Sequence, residues 1–407
     1  LHSFPTRRSS DLPLSSEGDL MLCFKYQEIP GVDCIAYYGF SQEAYKIISS
    51  SAFNWDKKLV MSETFGAMGN GMPASTLFRQ TIDLYTKGIN YIIPHAIWYS
   101  DSKNVDNPPE LSYRNSTYAD VLPEYNLFAA RLNSILQQDS IHVADIAMLY
   151  PIDYLESAYL FNGGQNNPSD ANYMKIGEYL SLTVRRDFTY LHPEILDKCI
   201  VEDGNLVMPN GTNRESFKVF IVPGMKVISL SNLEKIYEFW KAGNPVIFVG
   251  TVPTAATRTE DNARLTEILT EMLGKKPSLV ASDFEYEDGA GKTYHISSEK
   301  DLKGVLDSAL EIWDVKLTTS SKFAGGYISY IHKIADGRNF YYVGNSSNSA
   351  VSLTVKLRGE FDSLELWNPA DGSRSALETT VKNGVTTVKF SLESISSAFI
   401  VESAKDN

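Results

Sequence analysis

The chain has 407 residues, of which 43% are hydrophobic and 21% charged, and its formal net charge is −13. This length predicts two or three domains with a large core. The acidic balance argues against a nucleic-acid binder and against docking on anionic lipid, because both need a basic surface. No apolar run approaches the roughly 20 residues of a membrane span, so we expect no membrane span, no nucleic-acid partner and a neutral substrate.

The first twelve residues, LHSFPTRRSSDL, do not have the composition of a targeting segment, because no apolar stretch follows the two arginines. The string resembles a translated sequencing adapter instead. We therefore expect residues 1–12 to be an artefact and the natural chain to extend further upstream, so that an export signal would lie outside this sequence.

Residues 13–140 show alternating strand and helix patterns. Short apolar runs predict buried strands, amphipathic stretches predict helices, and near-continuous apolar strands are typical of parallel sheets. The order strand, helix, strand, helix, strand, helix predicts the last three units of a (β/α)8 TIM barrel. In chain order the segments are GVDCIAYYG (31–39), 41–54, KLVMSE (58–63), 72–88, 89–100 and 122–138.

Two further domains are predicted, which makes the fold class α/β plus all-β. Residues 141–318 repeat buried strands and a helix at 229–243, capped by Ser229 or Ser231, and suggest a flavodoxin-like α/β domain without a nucleotide-binding motif. Residues 319–407 contain short strands separated by Gly- and Asn-containing turns, which predict an antiparallel β-sandwich.

Polar residues follow two of the strands in the first domain. Glu63 ends one apolar run and His95 follows the next. Because the active site of a TIM barrel lies at the carboxyl ends of its strands, both are candidates for catalysis or binding. The alternative for Glu63 is an ion pair with an arginine or a helix cap. For His95, a hydrogen-bonded histidine in the protein core is an equally good alternative.

Several motifs together resemble a known family, over most of residues 20–403. They resemble the end of the catalytic barrel and the accessory domains of large bacterial glycoside hydrolases of the α-L-rhamnosidase type, glycoside hydrolase family 106. The motifs are MSETFGAMGNG (61–71), KGINYIIPHAIWYS (87–100), NPPEL (107–111), HVADIAMLYP (142–151), DFTYLHPEIL (187–196) and ELWNPADG (365–372).

The resemblance implies a bacterial hydrolase of polysaccharide side chains, periplasmic or extracellular, with an oligo- or polysaccharide substrate. Such enzymes need two carboxylates, and Glu63 is the expected nucleophile or general base. Its acid partner is expected on an earlier strand outside this sequence, so we expect the 407-residue chain alone to be inactive. The resemblance also implies a possible calcium ion, for which the sequence does not identify ligands, and no other cofactor.

The residues near Glu63 in the sequence are assigned less specific roles. His95 is expected to bond a sugar hydroxyl, and Trp98 and Tyr99 either stack on the sugar or pack at the barrel rim. Structural or solvated roles are expected for the remaining candidates, with Asp101, Asp106 and Glu110 in a solvated acidic loop, Asp145 and Asp153 in the linker region, and Trp367 as a turn anchor.

Two alternatives to a rhamnosidase remain open from the sequence. One is a retaining β-galactosidase-like glycosidase, which also joins a barrel to α/β and β domains. The other is a non-catalytic carbohydrate-binding or structural protein. The sugar, the linkage, the stereochemical course and the oligomeric state are not determined by the sequence.

Overall fold

A computed structural model describes residues 18–35, 43–100, 107–159, 168–289, 291–323 and 326–403. The predictions for residues 1–12, Asp101 and Asp106 lie outside these ranges. Within them, no helix combines the length and the apolarity that crossing a lipid bilayer requires.

The first part of the chain confirms the predicted alternation of helices and strands. Its three strands pair in chain order, and all are parallel. The elements are α1 Leu20–Lys25, β1 Gly31–Cys34, α2 Glu43–Asn54, β2 Met61–Thr64, α3 Ser75–Tyr85, β3 Tyr91–Pro94 and α4 Leu122–Leu136.

The third strand differs from the prediction of a buried strand. Tyr91 and Ile93 are 37% and 40% exposed, although both are apolar. They share a face with Met61 and Glu63, their register partners on β2, and the described part of the chain leaves this face of β3 open. The apolar character of this segment therefore predicted a strand correctly but predicted its burial wrongly.

The middle part contains a larger sheet flanked by helices. Its elements are β4 Ile141–His142, β5 Ile146–Leu149, α5 Ile152–Ser157, α6 Tyr173–Tyr179, β6 Phe188–Leu191, α7 Pro193–Leu196, β7 Ile200–Glu202, β8 Asn205–Val207, β9 Ser216–Phe217, β10 Val219–Val222, β11 Val227–Ile228, α8 Leu230–Lys241, β12 Pro245–Val249, β13 Ala255–Ala256, α9 Asn262–Leu273, β14 Phe284–Asp288, β15 Gly291–Ile296 and α10 Leu302–Ala309.

The strand order of this sheet is that of flavodoxin-like folds. The parallel strands lie in the order β6, β5, β10, β12, β15, which is 2-1-3-4-5 in chain order. β14 adds an antiparallel edge. All residues of β5, β6, β10 and β12 are buried, as expected for parallel strands covered on both faces.

Another segment of the chain covers the carboxyl ends of two central strands in this sheet. Asn172 accepts a hydrogen bond from the Gly224 amide at 2.8 Å and donates one to the Val249 carbonyl at 3.1 Å. A Cβ atom at Gly224 would lie 2.2 Å from the Asp170 carbonyl oxygen. The chain around Asp170 and Asn172 therefore covers the carboxyl ends of β10 and β12.

The last part is a two-layer antiparallel structure, as predicted. One sheet has the order β16, β19, β23, β22, and the other β21, β20, β24, β18, β17, with β4 at its edge. The strands are β16 Val315–Thr319, β17 Ile328–Ala335, β18 Arg338–Asn345, β19 Val351–Arg358, β20 Leu364–Trp367, β21 Arg374–Leu377, β22 Thr379–Lys382, β23 Val385–Leu392 and β24 Ser396–Glu402.

A buried ionic network fastens the first part to the middle part. Asp187 accepts hydrogen bonds from Lys46 of α2 at 2.6 Å and from His142 of β4 at 2.7 Å. The other ring nitrogen of His142 lies 3.1 Å from Glu215. Burial by itself would raise the pKa of Asp187, but the charges of Lys46 and His142 outweigh it and lower the pKa to about 2.

A second pair links the middle part to the sandwich. Arg358 donates to both carboxylate oxygens of Asp145, at 2.8 and 3.0 Å. The Asp145 carboxylate also accepts the Asp314 amide at 2.7 Å. These contacts agree with the structural role predicted for Asp145.

Candidate active site

Glu63 stands at the carboxyl end of β2, on the face of the sheet opposite to the helices. Ser62 and Thr64 are fully buried on one face, and strand alternation directs Glu63 to the other. Its side chain remains 37% exposed. The carboxylate can therefore meet a ligand at the strand ends.

His95 follows β3 directly and contacts Glu63. Its Nδ1 atom lies 3.1 Å from Oε1 of Glu63, and its backbone amide donates to the Thr64 carbonyl at 2.8 Å. The parallel pairing of β2 and β3 thus brings together two residues that the sequence placed at separate strand ends.

Asp33 is a third member of this cluster that the sequence analysis missed. It lies on β1 as the register partner of Glu63, so the two carboxylates share one face of neighbouring strands. Burial raises the pKa of Asp33, and the charge of Glu63 raises it further. The charge of His95 lowers the pKa of Asp33, and the resulting pKa is about 6.

A signal for Asp33 was present in the sequence. The segment GVDC has an acid as its third residue, and the next strand, MSET, has Glu63 at the same place. An acid inside a run predicted to be a buried strand is costly unless it is paired or neutral. Comparing the two strand ends position by position would have identified the pair.

The turn after β2 is shaped to admit the His95 ring. A Cβ atom at Gly66 would lie 2.8 Å from Cδ2 of His95, so a side chain there would displace the imidazole. Phe65 and Ala67 on either side have φ values of 79° and 58°, which is uncommon for residues other than glycine. Such conformations persist only where the surrounding structure imposes them.

The surroundings of this turn supply that constraint. The amides of Ala67 and Gly69 donate to the carbonyls of Asn107 and Pro108 at 3.0 and 2.9 Å. The fully buried ring of Phe65 packs edge-on against Tyr125 of α4. The turn is therefore held between the chain that follows β3 and a helix.

Trp98 lies beside His95, whereas Tyr99 does not join the cluster. The Trp98 and His95 ring centroids are 5.8 Å apart and nearly perpendicular. Tyr99 is fully exposed. The Trp98 carbonyl accepts a hydrogen bond from Arg114 Nη2 at 2.5 Å, which holds this segment close to the site.

Glu110 corrects the prediction of a solvated acidic loop. Its residue is only 7% exposed, and its carboxylate accepts a hydrogen bond from Arg114 Nε at 2.8 Å. Glu110 thus orients Arg114, and Arg114 in turn binds the Trp98 backbone. Residues 110–114 form coil and turns rather than a helix, so their spacing of four residues did not indicate this contact.

The arrangement suits acid–base chemistry on a bound sugar. Two carboxylates and an imidazole share the carboxyl ends of parallel strands, and two neighbouring carboxylates do not ionise independently. Asp33 therefore keeps its proton to a higher pH than an ordinary aspartate. An aromatic ring stands beside them.

The described residues do not assemble a metal site. No group of three or more His, Cys, Asp or Glu side chains among them has metal-binding geometry. Calcium takes six to eight oxygen ligands, and Asp33 and Glu63 would supply only two carboxylates. We therefore assign no metal ligand.

Comparison with protein-family models gives one match. The model of glycoside hydrolase family 106, described as α-L-rhamnosidase, matches residues 33–381. A search of curated protein sequences finds no significant match.

Solved structures of glycosidases share the fold. A rhamnosidase from Novosphingobium sp. PP1Y has a TM-score of 0.71 at 20% identity, and the match covers 95% of this chain and 36% of that one. A catalytic mutant of a GH42 β-galactosidase from G. stearothermophilus has a TM-score of 0.61 at 11% identity, covering 94% and 61% of the respective chains. For α-L-fucosidase isoenzyme 2 from Paenibacillus thiaminolyticus the TM-score is 0.56 at 13% identity, covering 93% and 65%.

The rhamnosidase and the GH42 β-galactosidase are TIM-barrel-type glycosidases, which confirms the predicted fold class at this coarse level. The chain spans about a third of the length of the Novosphingobium rhamnosidase.

Proposed function

Because the chain belongs to glycoside hydrolase family 106, the α-L-rhamnosidase family, we propose that the protein carrying it hydrolyses α-L-rhamnosides at the site around Glu63. The observation that carries this proposal is the cluster of Asp33, Glu63 and His95 at the carboxyl ends of three parallel strands. We infer that β1, β2 and β3 are the last three strands of a (β/α)8 barrel, whose active sites lie at this end.

Glu63 is the proposed catalytic residue. Whether it activates water or attacks the anomeric carbon, it must be ionised when the sugar binds. Asp33 supports that state, because a proton retained on Asp33 removes the repulsion between two adjacent anions. Asp33 is therefore proposed as a proton-holding partner of Glu63 and not as the general acid. The general acid that protonates the leaving group is still expected on an earlier strand, outside this sequence.

His95 and Trp98 are proposed to hold the sugar. Glu63 lies against one ring nitrogen of His95, which orients the imidazole beside the site. Trp98 stands at a right angle to that ring and offers an apolar surface to a pyranose. Tyr99 is exposed beyond them and is proposed to contact a more distant sugar unit.

Two wider expectations from the resemblance remain proposals. A calcium ion in the complete site would need ligands beyond Asp33 and Glu63, since these are too few for its coordination shell. A polysaccharide substrate is too large to enter a bacterial cell unprocessed, which supports a periplasmic or extracellular location.

The experiment is an assay of the natural protein that carries this sequence, on a panel of 4-nitrophenyl glycosides. We expect release of nitrophenol from the α-L-rhamnoside and little from the β-D-galactoside. Turnover of the β-D-galactoside alone would favour the alternative enzyme. A folded protein that binds glycans and cleaves none of the panel would favour a non-catalytic role.

A further inference from the structure

The outer surface of the four-stranded sheet in the sandwich is basic, although the whole chain carries a formal charge of −13. Side chains alternate along its strands, with Val and Leu facing the core and polar residues facing outwards. Four exposed lysines lie on the outer surface, which we call the basic face: Lys316, Lys356, Lys382 and Lys389.

The lysines of the basic face are poorly neutralised. Lys316 and Lys356 are direct cross-strand partners, and like charges in that position repel. Lys316 reaches Asp307 only at 3.9 Å, and Asp307 already binds Arg186 and Lys303. Within the described ranges, the other three lysines have no carboxylate at ion-pair distance.

Hydroxyl groups occupy the positions between the lysines. Thr318, Thr354 and Lys389 form one cross-strand row, and Ser352 pairs with Ser391, their hydroxyls 3.2 Å apart. Together they line a shallow, open groove of about 620 Å³, in which Lys389 is the lysine that contributes to the lining. The nearby ring of Phe390 packs against the sandwich core, and Glu378 borders the face at the start of β22.

These features distinguish among polyanions. Single-stranded nucleic acids bind through aromatic platforms on which bases stack. The outward positions of the described strands β16, β19, β22 and β23 carry lysines, hydroxyl residues, Arg358 and Val385 rather than aromatic rings. A glycan that carries carboxylates matches both groups, because its carboxylates pair with amines and its ring hydroxyls bond to Ser and Thr. Binding would relieve the repulsion between Lys316 and Lys356.

We propose that the basic face binds a carboxylated oligosaccharide, such as a run of uronic acid units, and so holds an acidic polysaccharide on the protein. The choice of a glycan over other polyanions rests on the proposed glycosidase function. Binding itself needs neither Glu63 nor turnover. The face and the active site are therefore testable separately.

The probe is polygalacturonate, with dextran as the uncharged comparison, titrated calorimetrically against the purified protein. The test variant combines Lys316→Gln, Lys356→Gln and Lys389→Gln. The control variant removes the same charge from exposed lysines of the middle part by Lys175→Gln, Lys276→Gln and Lys300→Gln. Thermal midpoints verify that both variants are folded.

We expect the test variant to bind polygalacturonate about tenfold more weakly than the wild type, since three exposed ion pairs are lost, and the control variant to bind normally. Added salt should weaken wild-type binding. Equal losses in both variants, equal affinity for dextran, or a preference for single-stranded DNA or anionic lipid vesicles would overturn the proposal. Loss of hydrolysis in a Glu63→Gln variant that still binds polygalacturonate would leave it standing.

Discussion

Gly66 allows the imidazole of His95 to approach the turn after β2, because a Cβ atom there would lie 2.8 Å from the ring. Gly66→Ala should displace His95 and lower kcat/KM on the rhamnoside about tenfold, a loss typical of a misplaced positioning group. Gly71→Ala is the matched control, since a Cβ atom at Gly71 has no neighbour within 4 Å. Equal kcat/KM values for the two variants would show that the close approach does not matter.

Asp33 should make the stability of the protein depend on pH in the acidic range. Its pKa of about 6 in the folded protein exceeds the ordinary value of 3.8, so the folded state holds the proton more tightly. The stability gained is fully present below pH about 4 and is lost as the pH rises through about 6.

The measurement for Asp33 is urea unfolding at several pH values across that range. Asp33→Asn should unfold with a midpoint that varies less with pH than that of the wild type. An identical pH dependence in both proteins would show that the pKa of Asp33 is not raised in the folded state.

At the scale of residues, the sequence predicted two members of the cluster but missed the third. Glu63 and His95 were identified from their places after strands, and parallel pairing brings them to 3.1 Å. Asp33 was missed because it lies within an apolar segment. The error at Glu110 has the same origin, since a local pattern does not show that Arg114 buries and binds the acid.

Ser229 caps helix α8, which decides between two candidates that the sequence left open. Its hydroxyl accepts the amide of Asn232, whereas Ser231 lies inside the helix and bonds to Asp197. Ser229→Ala should lower the free energy of unfolding by about 1 kcal/mol, and Ser231→Ala by less. Urea unfolding of both variants tests this order, and a larger loss in Ser231→Ala would contradict it.

The sequence predicted strands that have a simple apolar pattern, but it did not predict a buried strand that contains polar residues. The strand β15 escaped prediction because Thr293 and His295 interrupt its apolar pattern. In the structure the Thr293 hydroxyl donates to the Met272 carbonyl, and the two ring nitrogens of His295 lie within hydrogen-bond distance of the Ser282 and Gly250 carbonyls. Such partners come from distant segments, so local sequence does not reveal them.

The buried network around His142 should link stability of the whole molecule to pH near neutrality. Burial opposes protonation of His142, but Glu215 and Asp187 prevail and raise its pKa above 6.5. A raised histidine pKa stabilises the folded state below pH about 6.5 and ceases to do so as the pH rises through the folded value. Lys333 lies in the same interior, and burial lowers its pKa to about 8.

Unfolding free energies measured between pH 5.5 and 7.5, roughly below the titration of Lys333, test this link. The wild type should become less stable as the pH rises. His142→Gln should be less stable by about 3–5 kcal/mol at the lower pH, because buried charges lose their partner, and its stability should vary less with pH. A variant that retains the wild-type slope would assign the pH dependence to another group.

For the molecule as a whole, patterning predicted the order of parallel and antiparallel sheets along the chain. It did not predict how the parts are joined. Lys46, Asp187 and His142 are far apart in sequence, and nothing local to any of them indicates the shared network. The same holds for Asp145 and Arg358, which connect the middle part to the sandwich.

The most direct test of the account is Glu63→Gln in the natural protein that carries this sequence, with kcat and thermal midpoint measured on one preparation. Glu28→Gln, at an exposed position, is the matched control. The nearly isosteric change at Glu63 should leave the midpoint unchanged and reduce kcat by about 10²–10⁴-fold. A kcat within about threefold of the wild type at equal folded fraction would remove Glu63 from the active site and contradict the proposed function.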